Sequence, residues 1–354
     1  MWDVLGEEFW RILTFSVDEL VSAVGLRLNR ALAVSGWRES VDIDRQISAI
    51  GSFGSEFIAQ FNGAYPPKLK ALRDAPIGLH CAGRSFPEGK SVAIVGTRKC
   101  SFAGERTAHE FAKVLAENGM ATISGLAEGI DAAAHAGTLA ANGHTVAVLG
   151  CGLDVVYPPD NLALHGEIRS RGTLVSEFPF GRRADRRSNF AIRNRIITGL
   201  ADAVIVVESP ENGGSMISAR WAINQRKPLL AVGSGDDVGG SAGCRALIRS
   251  GRAIAVRTAD ELLELLSDPS VLQLAANGQI DLPLAELNGA ERPTLSPLEE
   301  KIWLFLEKNG SSAADDVAVA MAIGGAQCAT AMQAMCLRGI VKRELSGAFS
   351  LAGR

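Results

Sequence analysis

Gly96-Thr97-Arg98-Lys99 places a glycine, a hydroxyl and two cations at the end of a short apolar run, Ser91-Val92-Ala93-Ile94-Val95. A strand tip of this make-up, lined by backbone N–H groups and positive charge, suits a phosphate; it also suits a plain turn with solvated charges. A second run, Ala121-Thr122-Ile123-Ser124, leads into Gly125-Leu126-Ala127-Glu128-Gly129-Ile130-Asp131, with His135 four residues after Asp131. Gly125 and Gly129 allow a ligand close to the backbone. Asp131 and His135 share a helical face. They suit a metal or an acid–base pair, but a helix-capping aspartate beside a buried, hydrogen-bonded histidine is expected. A third run ends in Gly150-Cys151-Gly152 and then Tyr157-Pro158-Pro159, where Tyr157 either offers a ring face to a base or packs its loop. The densest positive charge is Arg182, Arg183, Arg186, Arg187, Arg193 and Arg195, opposed there only by Asp185. Arginine suits phosphate because its planar fork donates two bonds and keeps its charge. Gly213-Gly214-Ser215 opens a helix after a fifth run, and Gly240-Ser241-Ala242-Gly243 repeats that logic after a sixth. Exposed N–H groups at a helix start cradle anions.

Six nearly all-apolar runs carry these tips, near 91–96, 121–125, 145–150, 173–177, 203–208 and 228–233. Runs of that kind are parallel strands covered on both faces. Alternating with alanine-rich helical patterns, they predict an α/β, Rossmann-like, doubly wound parallel sheet. In such sheets ligands bind beyond the carboxyl ends of the strands. The pattern divides the chain into a helical N-terminal domain (1–85), the Rossmann-like domain (86–267), a linker (268–293) and a winged helix-like C-terminal domain (294–354). In the first, VDELVSAVGLRLNRAL and SEFIAQF show helical spacing. A helix near Thr258–Leu266 closes the second. In the last, Ser296, Pro297, Glu299 and Gly310 frame a capped helix. Two more helical patterns follow, then a hairpin turning at Ser346-Gly347. The second of these patterns, 326–337, has no charged residue, so a packing or protein-contact role is expected of it rather than a grip on DNA.

Composition narrows the function. The 354 residues carry a formal net charge of −3, so a nucleic-acid site must come from local clustering of cations. The six cysteines include no CxxC pair and read as reduced, small apolar side chains. No apolar run approaches the roughly 20 residues that cross a bilayer, and acids precede the apolar residues of MWDVLGEEFWRILTF, unlike a signal peptide. A cytoplasmic protein is expected. GxxxxGK[ST] is missing from the sequence, and GxGxxG does not follow the first strand. No catalytic residue, metal or cofactor is therefore expected.

AIVGTRK, SGLAEGIDAAAH, VLGCGLDVVYPPDN, LVSEFPFG, RNRIITGLADAVIVVES and GGSMISARWA follow one another in this order. Over about residues 50–255 they resemble the DprA/Smf family of DNA-processing proteins. The lead-in FNGAYPPKLKALRDAPIGLHCAG is also similar to that family's. The chain differs in having Phe190-Ala191 where the family usually has Phe-Pro, two acids (Asp236, Asp237) after the sixth strand, and a first 45 residues little like the family's SAM-like domain. The resemblance implies sequence-independent binding of single-stranded DNA in a positive pocket. It further implies delivery of that DNA to the recombinase RecA during natural transformation and recombination, and a homodimer. It places Arg98, Arg187 and the triplet Arg193-Asn194-Arg195 in the pocket. The full DNA-binding set expected is Gly96, Thr97, Arg98, Lys99, Gly125, Arg186, Arg187, Arg193, Asn194, Arg195, Gly214 and Ser215. Arg193 and Arg195 lie two apart and point different ways on a helix, so one of them is expected to pair with an acid inside the fold. The alternatives are an enzyme acting on a nucleoside phosphate, as phosphoribohydrolases of related fold do, and a scaffold that binds a small nucleotide.

Overall fold

The computed structural model describes residues 14–185, 189–233, 241–268, 295–321, 323–337, 340–343 and 348–351. The chain divides into two compact units after Phe57. The first holds α1 (Val17–Ser22), α2 (Leu28–Ser40) and α3 (Ile43–Ser52). Ser16 and Glu19 close a reciprocal capping box on α1, and Asp42 caps α3. Leu20, Val24 and Ala31 form a small core.

The sheet begins with β1 (Ser55–Ala59), which spans the division, and continues in the second unit with β2 (Gly78–Gly83), β3 (Ser91–Val95), β4 (Ala121–Ser124), β5 (Thr145–Leu149), β6 (Thr173–Ser176), β7 (Ala203–Val206), β8 (Leu229–Val232) and β9 (Ile254–Val256). Its order is β1-β2-β6-β5-β4-β3-β7-β8-β9. From β3 to β9 every neighbouring pair is parallel, as is β5 with β6, while β2 runs antiparallel to β6. All residues of β3 to β7 are buried. Helices cover both faces: α4 (Pro67–Lys70), α5 (Phe102–Glu117), α6 (Ile130–Ala140), α7 (Leu162–Arg171), α8 (Asn189–Leu200), α9 (Gly214–Asn224), α10 (Ala242–Arg249) and α11 (Ala259–Ser267). The continuous apolar strands thus form one core against Ile196, Ile197, Ala219 and Ile223, and another against Phe111, Leu115, Ile130 and Leu262. The expected Rossmann-like doubly wound sheet is present, with all six predicted strands.

Two expectations need correction. SEFIAQF is not helical, because Ser55–Ala59 is strand β1 and Gln60 N–H bonds the Ile77 carbonyl at 2.8 Å. The stretch read as a wholly helical domain, 1–85, therefore contributes two strands to the sheet. A short apolar run fits either periodicity, and sheet pairing decides it. β9 was also missed, since three residues carry no readable period.

After residue 268 the expected linker falls almost wholly outside the described residues. The C-terminal part holds α12 (Pro297–Asn309), α13 (Ala314–Ala320), α14 (Gly325–Leu337) and a two-stranded antiparallel hairpin, β10 (Val341–Arg343) with β11 (Phe349–Leu351). Ser296 and Glu299 form the predicted capping box, and Gly310 ends α12. Cys328, Met332 and Met335 of α14 pack into its own small core with Ile302, Val317 and Phe349. The expected turn at Ser346-Gly347 lies outside the described residues. Three helices and a hairpin support a winged helix-like unit, which we carry as a proposal together with the domain limits above.

Candidate nucleic-acid interface

Strand order reverses between β3 and β7: the chain runs outward from β3 through β4 and β5 to β6, then restarts at β7 on the other side. Loops that diverge from two adjacent carboxyl ends leave a crevice, the usual ligand site of an open α/β sheet. A cavity of about 840 Å³ lies there, walled by Gly96, Thr97, Arg98 and Lys99 after β3, by Glu208 after β7, and by the starts of α9 and α10. Phe190, Arg193 and Asn194 of α8 line the remaining side. Of the residues expected from sequence, Gly96, Thr97, Arg98, Lys99, Arg193, Asn194, Gly214 and Ser215 meet in this one cavity.

Their holding is local and specific. Thr97 N–H donates to the Glu208 carbonyl at 2.7 Å, tying the β3 and β7 tips together. Arg98 and Lys99 are exposed. The Arg98 guanidinium lies 5.0 Å from the Phe190 ring centre. Tyr157, in a loop with a cis peptide before Pro158, packs its ring against Phe190 at 5.3 Å. Aromatic faces beside cations are what a stacked base needs. Gly213 precedes α9 without a side-chain cap, leaving the start of that helix to Gly214 and Ser215 at the cavity wall. Ser215 Oγ bonds Ser209 Oγ at 2.7 Å, so its hydroxyl supports the loop.

Arg193 is the buried cation of the site, 3% exposed. Its Nη1 donates to the carbonyl of Gly125 at 2.7 Å and to that of Val148, closing the ends of β4 and β5. Gly125 is required here: a Cβ would stand 2.5 Å from Arg193 Nη1. Gly125 therefore makes room for Arg193 rather than for a ligand. It lines a small neighbouring recess with Arg98, Tyr157 and Phe190. Burial lowers the Arg193 pKa to about 10, with Asp131 acting in the opposite sense; the group stays charged at neutral pH. Burial in turn raises the Asp131 carboxyl above the usual range, while Arg193 and the N–H groups of Ala127 and Gly125 pull it back. Asp131 accepts from Gly125 N–H at 3.1 Å, so it ties the preceding loop instead of capping its own helix. His135 is fully buried, with Nδ1 2.6 Å from Thr145 Oγ1. Among the described residues no group of three or more His, Cys, Asp or Glu is placed to hold a metal.

Arg195 lies elsewhere. It is 7% exposed, pairs with Glu177 through Nη1 at 2.9 Å and Nη2 at 2.5 Å, and reaches the Asp74 carboxylate at 3.4 Å. Its fork is committed inside the fold, so Arg195 leaves the proposed phosphate set and is the internally paired member of the triplet. Arg186 and Arg187 fall outside the described residues. Arg182 and Arg183 are exposed on the loop after β6. Glu208, a cavity residue, was not singled out from the sequence, where it is only the last letter of an apolar run.

The buried histidines predict acid sensitivity. Burial lowers His135 to about 3, and lowers His144 to about 4. An unfolded chain binds these protons below about pH 6.5. Stability is therefore complete above that pH and is lost as pH falls toward the folded values; His135 alone costs up to about 1.4 kcal/mol per unit. Asp131, raised by burial, acts with the opposite sign in both proteins compared below. Denaturant unfolding at pH 7 and pH 5 should show a smaller loss for His135→Asn than for the unsubstituted protein. Equal losses would contradict a buried, neutral His135.

A mostly parallel sheet with a cation-lined cavity at its topological switch point places the chain among Rossmann-like α/β proteins. The profile of the family described as DNA recombination-mediator protein A matches residues 56–267. The chain belongs to this family, DprA/Smf. It is 35% identical over 249 residues to Protein Smf of Synechocystis sp., a match covering 68% of this chain and 62% of that relative. The match thus spans less than two-thirds of the relative's length. Among solved structures it is similar to DNA processing protein A (DprA) of Streptococcus pneumoniae, with a TM-score of 0.59 and 30% identity, covering 73% of this chain and 96% of that one. It is also similar to DNA processing protein A of Helicobacter pylori, whose structure is described for its single-stranded DNA binding mode, with a TM-score of 0.54 and 28% identity, covering 60% and 95%. No helix among the described residues is long and apolar enough to cross a membrane.

Proposed function

We propose that this chain binds single-stranded DNA without sequence preference in the switch-point cavity, and that it does so without altering the DNA chemically. The observation that carries this is the convergence of Arg98, Lys99 and Arg193 with the start of α9 beside the Phe190–Tyr157 pair. Cations and N–H groups take phosphates, and ring faces take bases of any identity. The H. pylori relative's single-stranded DNA binding mode supports the same ligand. On this reading the chain is a cytoplasmic homodimer that delivers DNA to RecA in natural transformation and recombination. The rival, an enzyme acting on a nucleoside phosphate, asks for a free acid or base in the cavity. Asp131 is tied to backbone N–H groups, His135 is fully buried against Thr145, and Glu208, the acid that lines the cavity, is held by the N–H and hydroxyl of Ser101 with no histidine or lysine within ion-pair distance of it among the described residues.

Fluorescence anisotropy with labelled oligonucleotides of mixed sequence tests the proposal. Single strands are expected to bind more tightly than duplex of equal length, because a recessed cavity admits one flexible backbone but not a rigid duplex. Equal or tighter duplex binding would move the DNA site to another surface. Turnover of nucleoside monophosphates that disappears in Asp131→Ala would instead favour the enzyme.

A further inference from the structure

Glu208 is out of place in a site built only for a phosphodiester chain. This residue lines the cavity that holds Arg98, Lys99 and Arg193. Among the described residues no cation stands within ion-pair distance of it. It is held instead by Ser101, whose N–H donates to Oε1 at 3.2 Å and to Oε2 at 3.1 Å, and whose hydroxyl donates to Oε2 at 2.8 Å. Ser101 is also the N-cap of α5, and the start of a helix favours negative charge. Gly104, in the first turn of that helix, leaves the space: a Cβ there would overlap the carboxylate. Glu208 is therefore a positioned acceptor, with lone pairs left over after the shared N–H and the hydroxyl of Ser101.

The rest of the cavity is an anion site with its own unmet donor. Arg193 is 3% exposed and lines the cavity, yet its Nε has no hydrogen-bond partner. With the uncapped start of α9, this points to a bound phosphate. A ligand that satisfies both ends carries a phosphate for the cations and a hydroxyl for Glu208. A second phosphate beside Glu208 would meet a like charge at short range. The volume, about 840 Å³, lies within the about 300–1,000 Å³ typical of small-molecule cavities.

We propose that the switch-point cavity takes one nucleotide unit whose sugar hydroxyl is unesterified, with its phosphate on the Arg98–Arg193 side and its hydroxyl donated to Glu208. The unit comes from one of two sources, a free nucleoside monophosphate or the 3′-terminal nucleotide of a strand. This inference rests on the reading of the cavity as the DNA site.

The test compares single-stranded oligonucleotides ending in a 3′-hydroxyl or a 3′-phosphate, a circular single strand, and free dAMP as competitor, all on the full chain. For a terminal-nucleotide site, the 3′-hydroxyl strand is expected to bind about tenfold more tightly than the 3′-phosphate strand, roughly one like-charge contact. For a free-nucleotide site, dAMP is expected to displace every strand irrespective of its end. For a terminal-nucleotide site Glu208→Gln should shrink that contrast between ends, since glutamine keeps an acceptor but loses the charge. The comparison of ends needs no variant and stands if Glu208→Gln does not fold. If all three strands bind alike and dAMP displaces none, the inference is wrong. Weakening of every strand by Arg98→Ala would then leave the DNA-site reading intact, whereas unchanged binding by Arg98→Ala would remove that reading as well.

Discussion

Arg195→Ala is expected to destabilise the folded chain by about 3–5 kcal/mol, the usual cost of stranding one partner of a buried ion pair. Arg195 holds both oxygens of Glu177 and also donates Nε to the Asp74 carbonyl at 3.0 Å. Its side chain is 9% exposed and that of Glu177 25%, so water replaces little of what is lost. The Asp74 carboxylate, more exposed, contributes less. These bonds join α8 to the loop after β6 and to the segment before β2, so their loss loosens the packing of α8, which carries Arg193. Thermal unfolding should move down by about 10 °C or more. Arg195→Lys keeps the charge but not the fork and should fall between. Where the variant is still folded, the slope of DNA affinity against salt should stay that of the unsubstituted protein. A small stability change with a large loss of salt slope would return Arg195 to the DNA-contacting set.

Arg98→Ala with Lys99→Ala is expected to do the reverse. Both side chains are exposed at the mouth of the cavity, and Arg98 touches Phe190 only through its ring face. Their removal should leave the melting temperature nearly unchanged. A charge-assisted phosphate bond contributes about 1.5 kcal/mol or more, roughly tenfold in affinity, so the double variant should bind single strands about a hundredfold more weakly. Each lost contact should also lower the log–log salt slope by about 0.7. The loss should be uniform across sequences, because phosphates carry none. Anisotropy titrations over a salt series measure both quantities; wild-type affinity and slope would contradict a role for this strand tip.

The contrast between Arg195 and Arg98 shows what the sequence could carry. Six strands were legible because a strand buried on both faces must be apolar throughout, and their tips located the cavity before any coordinate did. β1 was not legible, because Ser55–Ala59 alternates too briefly to separate strand from helix. Spacing showed that Arg193 and Arg195 diverge, but which one turns toward Glu177 depends on how α8 lies on the sheet. Arg193 proved subtler than a pocket cation: it lines the cavity while closing the ends of β4 and β5. Asp131 and His135 were readable as a buried structural pair, although the backbone that Asp131 holds is the preceding loop. Glu208 was invisible because its role depends on Ser101, 107 residues earlier in the chain, and no local pattern records such a partnership.

The central claim is that single-stranded DNA occupies the cavity between the β3 and β7 tips. Photo-crosslinking with an oligonucleotide carrying 5-iodouracil, followed by peptide mapping, tests it most directly, because this base reacts with aromatic rings it stacks upon. Phe190 and Tyr157 stand 5.3 Å apart at the cavity and its adjoining recess. Adducts are expected on the peptides that carry these two residues, and they should be lost in Phe190→Ala. Adducts confined to the C-terminal unit, 295–351, with none on Phe190 or Tyr157, would contradict the account.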